Sequence, residues 1–489
     1  MEKNINICWF ARSGDLDFFA KIASHLESLN SEVKSYFVCD TNGEKRKLKD
    51  EYNVNSMVLS EYIQNFDRTN KVSCGDLNEY MKKYQLLPFR KLVWSEMFMK
   101  KYNDEKLIQY LVGLISFWEK VINDNNIHYV ISEIPSILPN NVLWLVCKKF
   151  NVEFIGFSIA GINEKTLISD NFNGNLLGLK ELFYSVKVSI DSVNYKKAVD
   201  YYERMKRNPL KPKYYNLDHH TGKILKVEKG AIFQRPPKLK PLIGEIIRAF
   251  RRTDDITKTW YYIDPELMVL KTWLMAKIRM FIHNRVNIFE NNVIVRKEKY
   301  FLYTLNMIGE WSQYSFASLQ LAYPLDTIRY IASALPLGTK LYVKEHIAWF
   351  PQRSFSFYSE LKSIQNVVLV DRRENIFDLI KNSLGVLSNS STTGWEAFLL
   401  GKPVILLTDA WYSVLPGVRR ADNFLELLEI FDTIAEFEQT TEDDRIKAAY
   451  CLFELGINGV LYPRTQLLEE NNISQFANHI NSILAKLNN

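Results

Sequence analysis

Residues Leu387–Leu407 read LSNSSTTGWEAFLLGKPVILL. The apolar run Gly385 to Ser388 has strand length and ends in consecutive hydroxyl residues. A helical stretch then starts at about Gly394 and runs to Leu400, and Pro403 to Leu407 is a second apolar strand. Strand, helix and strand in such quick succession build a parallel sheet covered on both faces. The same rhythm extends upstream to Tyr300. Strands are expected at Phe301 to Leu305, Lys340 to Lys344 and Val367 to Val370, with helices at Leu325 to Leu335, Phe355 to Ile364 and Ile376 to Lys381. Helices are expected to fill most of the chain beyond Leu407.

The N-terminal third repeats the pattern. Ile5 to Phe10 is a strand, and Leu16 to Leu29 has helical spacing through Leu16, Phe19, Ala20, Ala23 and Leu26. Val33 to Val38 is a second strand. Beyond a variable stretch come a helix at Leu107 to Ile122, a strand at Tyr129 to Ser132, a helix around Val142 to Phe150 and a strand at Glu153 to Phe157. The expected architecture is α/β, with two Rossmann-like doubly wound domains facing a cleft. The expected domains are residues 1–160, an irregular basic middle with helices at 161–295, and 296–489 with terminal helices.

Length and composition agree with that division. The chain has 489 residues, 47% hydrophobic and 24% charged, which suits two or three globular domains and excludes disordered or fibrous classes. Cys8, Cys39, Cys74, Cys147 and Cys451 show no ligand spacing, so a reducing compartment is expected and a zinc site has no support. No apolar run reaches spanning length, and MEKNINICWFARSG lacks a signal-peptide core. A cytoplasmic location is the expectation. The net charge of +6 is uneven: Tyr201 to Tyr300 holds 22 Lys and Arg against 10 Asp and Glu. That excess suits an anionic membrane inner face or a phosphorylated lipid, or is only a solvated insertion; no nucleic-acid motif accompanies it. The stretch Pro265 to Phe281 mixes apolar positions with Lys271, Lys277 and Arg279, as a helix lying on a membrane or packed between domains would.

In open parallel sheets ligands bind beyond the strands' carboxyl ends. That rule selects Arg12, Ser13, Gly14 and Asp15, then Glu133, Glu310 and His346, and finally Ser390, Ser391, Thr392 and Thr393. Hydroxyls and free N–H groups at a helix start form an anion site, or serve only as N-caps through Ser391 or Thr392. Gly394 allows close backbone approach, and Glu396 is placed to cap the helix or reach a ribose hydroxyl. His346, with Lys344 two residues earlier, is a candidate cation or hydrogen-bond donor to a leaving phosphate. Glu310 and Glu133 are candidate general bases or nucleophiles. Asp15 and Asp17 form a D-x-D read as helix capping rather than a metal site.

At YVKEH, Arg353, the spacing to VVLVD and above all SSTTGWEAFLLGKPVILL, the sequence resembles bacterial capsule polysaccharide biosynthesis proteins, which include Kdo-type sugar transferases. The resemblance spans about Tyr300 to Tyr412. It implies a GT-B architecture with a nucleotide-sugar in the C-terminal domain. It also implies that His346 and the Ser390/Ser391 pair hold the nucleotide phosphate, that Glu310 lies near the anomeric centre, and that no metal cofactor is needed. A CMP-sugar donor is favoured, with a saccharide or lipid-linked acceptor. His346 is followed by Ile347 where the family has proline, and Glu310 stands where aspartate is common. The expected activity is a glycosyltransferase with catalytic Glu310, Glu133 and His346, and with Lys344, His346, Ser390, Ser391, Thr392, Thr393, Gly394 and Glu396 binding the donor. A non-hydrolysing sugar-nucleotide epimerase and a non-catalytic assembly component are the alternatives.

Overall fold

The structure is a computed structural model. It describes residues 4–85, 92–93, 103–135, 137–159, 161–162, 165–170, 176–186, 189–211, 243, 266–306, 323–346, 350–434, 440–462 and 464–487.

Among the described residues, two six-stranded sheets carry the chain. The first holds β1 (Ile5–Phe10), β2 (Val33–Cys39), β3 (Ser56–Val58), β4 (Tyr129–Glu133), β5 (Glu153–Ile159) and β6 (Thr166–Ser169), in the order β3-β2-β1-β4-β5-β6. Only the β5–β6 pair is antiparallel. The second holds β7 (Tyr300–Thr304), β8 (Lys340–Lys344), β9 (Val367–Val370), β10 (Gly385–Ser388), β11 (Val404–Leu406) and β12 (Val418–Arg420). Its order is β12-β11-β10-β7-β8-β9, parallel throughout. Both are Rossmann-like doubly wound sheets, and their strand order reverses between β1 and β4 and between β7 and β10.

The two-residue period of a strand explains why both faces are covered. Ile5, Ile7 and Trp9 of β1 pack in one core with Phe19, Ile22 and Leu26, while Cys8 and Phe10 face a second core with Leu111, Trp118 and Val142. In β7, Tyr300 and Leu302 turn to one side and Phe301 and Tyr303 to the other. Helices Leu16–Leu29, Asp104–Asp124 and Leu138–Phe150 cover the first sheet as their spacing predicts. Helices Asn42–Tyr52, Leu59–Thr69 and Cys74–Tyr84 fill the stretch read only as variable. The first and third of these open on capping boxes, Thr41 with Glu44 and Ser73 with Asp76.

Two placements differ from the expected division. β6 continues the first sheet past residue 160. The final helix, Glu470–Leu487, was expected with the second domain but returns to the first. Its Phe476, Ile480 and Leu484 share a core with Trp9 and Phe19, and Phe476 meets Phe18 edge-on at 4.9 Å. The middle carries helices as expected, among them Leu179–Ser185 and Val193–Arg207. In the latter, Ala198, Tyr201, Tyr202 and Met205 recur at helical spacing and join the core of the second sheet. A strongly charged sequence with tyrosines as its apolar face hides that periodicity from a reading based on aliphatic residues.

The helix expected at Pro265 to Phe281 spans Glu266–Arg285. Ala276 and His283 are buried, whereas Leu274, Ile278 and Phe281 are exposed beside Lys271, Lys277 and Arg285. Among the described residues, no helix is long and apolar enough to cross a membrane. All five cysteines are free thiols, and Cys74 is the exposed one.

Candidate functional site

At the switch point of the second sheet, Asn306 lies two residues past β7 and Asn389 directly follows β10. The Asn306 amide donates to the Asn389 carbonyl at 3.2 Å, and the Asn389 amide donates to the Tyr303 hydroxyl at 3.0 Å. Beside them, where β8 ends, lies a buried ionic clamp. Glu345 accepts from Arg353, from the Tyr358 hydroxyl and from the His346 backbone N–H, the last at 2.6 Å. Arg353 also donates to the Asn306 carbonyl. The clamp therefore ties the ends of β7 and β8 to the segment leading into helix Phe355–Lys362. Sequence reading noted Arg353 and the YVKEH motif but assigned Glu345 no role.

His346 follows the clamp. Its Nδ1 is shielded from water and has no hydrogen-bond partner among the described residues. Burial, and then the Lys211, Arg353 and Lys344 charges, push its pKa down to about 4. These influences favour the neutral imidazole at pH 7, which suits the hydrogen-bond donor reading better than the cation reading. Lys344 is buried, with Nζ donating to the Arg372 carbonyl at 2.6 Å. Burial and then Lys211 push its pKa down to about 8. Lys344 thus contributes field rather than reach.

The hydroxyl cluster forms a tight turn. Ser390 adopts φ +58°, in the left-handed region. The Ser391 N–H donates to Ser388 Oγ at 2.9 Å, the two serine oxygens lie 3.0 Å apart, and the Tyr412 hydroxyl donates to the Ser391 carbonyl at 2.6 Å. Ser391 is the N-cap of helix Thr392–Leu399, yet its side chain caps nothing. Plain capping by Ser391 is therefore not why a hydroxyl stands there. Ser390, Ser391 and Thr392 are half-buried; Thr393 and Gly394 are buried in the first turn. A Cβ on Gly394 would fall 2.8 Å from Tyr412 Cζ, so the turn packs directly on that ring.

Glu396 neither caps the helix nor stands open to a ribose. It is buried and accepts from Lys211 Nζ at 2.5 Å. Burial raises its pKa and Lys211 opposes the rise. Lys211 lies in the basic middle and no local signal separates it from its neighbours there; only the tertiary fold selects it.

In the first sheet, Arg12 follows β1 at the switch point and donates to both carboxylate oxygens of Glu133 at 3.2 Å. Asp40, at the end of β2, was not singled out by sequence. It is buried, neither carboxyl oxygen has a hydrogen-bond partner among the described residues, and burial, opposed by Arg12 and reinforced by Glu44 and Glu133, raises its pKa to about 7. In the D-x-D, Asp17 is engaged by Lys47 at 2.5 Å and by the Tyr52 hydroxyl at 3.0 Å. Glu310 lies outside the described residues.

Residues 259–428, which contain the whole second sheet, match the family model described as capsule polysaccharide biosynthesis protein. That segment is similar to the capsule polysaccharide biosynthesis family, and the match covers about a third of the chain. A comparison with curated protein sequences found no match. Among solved structures, the chain is similar to the β-Kdo 2,4-transferase KpsC of Thermosulfurimonas dismutans, at 15% identity and TM-score 0.36, covering 74% of this chain and 93% of that one. It is also similar to the UDP-GlcNAc 2-epimerase of Methanocaldococcus jannaschii, at 13% identity and TM-score 0.23, covering 99% and 100%. The Neisseria meningitidis UDP-GlcNAc 2-epimerase bound to UDP-GlcNAc gives 14% identity and TM-score 0.23, covering 99% and 100%. Likeness at this level adds nothing to the two-sheet layout already described.

Proposed function

We propose that the chain is a metal-independent glycosyltransferase of GT-B type. It moves a sugar from a nucleotide donor, with a CMP-sugar favoured, to a surface polysaccharide or its lipid-linked primer. One observation carries the reading. In the segment that matches the capsule-biosynthesis model, a tight hydroxyl turn and a helix start follow β10, and His346 and the buried Lys344 stand at the carboxyl end of β8, on the same edge of the sheet beside the switch point. Such an arrangement suits a leaving phosphate. His346 donates a hydrogen bond to that phosphate, while Ser390, Ser391, Thr392 and Thr393 supply hydroxyls and helix-start N–H groups. Lys344 adds positive field from below. Glu310 acts at the reacting centre, and Glu133, oriented by Arg12, serves the acceptor hydroxyl. The exposed apolar and basic residues of helix Glu266–Arg285 support peripheral contact with an anionic membrane face, consistent with a cytoplasmic location.

The test is a thermal-shift screen of CMP, UMP, UDP and GDP, followed by sugar-transfer assays with the nucleotide that binds. Ligand at about 100 times its Kd stabilises by roughly 2.7 kcal/mol, which such a screen resolves. His346→Ala is expected to lower kcat by about 10²- to 10³-fold, the usual loss of one transition-state donor. Wild-type turnover in that variant removes His346 from the mechanism. Conversion of a UDP-sugar to its epimer by the protein alone would replace transfer with epimerisation.

A further inference from the structure

Lys211 stands at the end of a well-anchored strut. Helix Val193–Arg207 is pinned to the second domain: the Trp395 indole donates to the Tyr201 hydroxyl at 3.3 Å, and Lys206 pairs with Glu442. The chain then bends at Asn208 and reaches Lys211, whose Nζ meets Glu396 one turn into helix Thr392–Leu399. The carboxylate side chain is 4% exposed and the lysine 22%, so the pair is open on the lysine's side.

The charges around it are unequal in their commitments. Arg353 is bound to Glu345, and Arg373 to Asp371 at 2.9 Å. Lys344 donates a hydrogen bond to the Arg372 backbone carbonyl and is buried. Lys211 is close enough to be the leading charge acting on both Lys344 and His346. A lysine on a long flexible stem, partly in water and beside a buried lysine and an imidazole drawn toward its neutral form, needs little motion to meet an anion. A buried lysine held by a carbonyl cannot do the same.

We propose that Lys211, delivered to the second domain by the basic middle segment, is the cation that contacts the donor's phosphate, with Glu396 as its resting partner. This rests on the donor-site reading above and adds to it a specific residue. It gives the middle segment a share in the donor site. The phosphate competes with Glu396 for the ammonium, so nucleotides are held by Lys211 and the corresponding nucleosides are not.

Calorimetric titration separates the possibilities. CMP, UMP, UDP and GDP, with cytidine, uridine and guanosine, are titrated into wild type, Lys211→Met, Lys211→Arg and the double variant Lys211→Met/Glu396→Gln. The double variant removes the buried carboxylate along with its partner, so it retains the fold if the single variant does not. Whichever nucleotide the wild type binds, both Met variants are expected to bind about 10- to 100-fold more weakly, the worth of one charge-assisted contact. Lys211→Arg stays within about threefold, and nucleoside affinity is unchanged throughout. Met variants that bind nucleotide like wild type overturn the proposal while leaving the donor site standing. Equal losses for nucleotide and nucleoside also overturn it, making Lys211 a structural strut. A wild type that binds none of the nucleotides removes the donor-site reading and this proposal together.

Discussion

Glu345 and Arg353 form an ion pair almost wholly withdrawn from water, with side chains 0% and 2% exposed. Removing one member of such a pair strands the other, and typical costs are about 3–5 kcal/mol. The two ends are not equivalent. With Arg353→Met, Glu345 keeps the Tyr358 hydroxyl and the His346 N–H as donors, and a stranded carboxylate can also neutralise itself by taking a proton. Its loss belongs near the lower bound, about 3 kcal/mol. With Glu345→Leu, Arg353 keeps the Asn306 carbonyl, and a guanidinium cannot shed its charge, so the loss belongs near about 5 kcal/mol. For a domain of this size each kcal/mol moves Tm by about 2–4 °C. Scanning calorimetry at pH 7 should then show the second domain melting about 6–12 °C lower in Arg353→Met and about 10–20 °C lower in Glu345→Leu. The Glu345→Leu/Arg353→Met double variant leaves no stranded charge and should melt above the Glu345→Leu single variant. Additive losses in the double variant, or two equal single losses, would refute the reasoning that the clamp works by mutual charge compensation.

Other parts of the molecule give sharp expectations. Asp40 has its pKa raised by burial to about 7 from 3.8; stability is therefore full below about pH 4 and is lost as pH rises to about 7. Asp40→Asn should remove that slope and raise stability at pH 8 by up to about 4 kcal/mol, and an unchanged Tm–pH profile would contradict it. His283 is ringed by Phe289, Phe350, Phe355 and Tyr358, with neither ring nitrogen partnered among the described residues. Burial, aided by Arg372 and Arg279, lowers its pKa to about 4 from 6.5, so its stability is present above pH 6.5 and lost as pH falls toward 4. His283→Phe should shrink the drop in urea midpoint between pH 7 and pH 5 by the equivalent of about 2 kcal/mol; a drop as large as wild type's would count against it. Gly394→Ala places a methyl against the Tyr412 ring. It should cost about 1–3 kcal/mol in chemical denaturation, whereas a neutral effect would mean the turn is looser than its packing indicates.

The alternation of short apolar strands with amphipathic helices determines most of both sheets, because a strand covered on both faces is apolar at nearly every position. Ile5–Phe10 and Gly385–Ser388 are such strands. The carboxyl-end rule then places Arg12, Glu133, His346 and the Ser390–Thr393 cluster without any coordinates. What sequence could not supply is which charges meet. Lys211 and Glu396 are 185 positions apart, and nothing local distinguishes Lys211 from the other cations of the basic stretch. Asp40 is an ordinary aspartate until β2 buries it, and His346 is drawn toward its neutral form only by burial and the cations gathered around it. The return of helix Glu470–Leu487 to the first domain likewise depends on a match between Phe476 and Phe18 that only the folded chain makes. Periodicity is local and is written in sequence. Burial and charge pairing are set by the whole fold, and they decide which side chains can do chemistry.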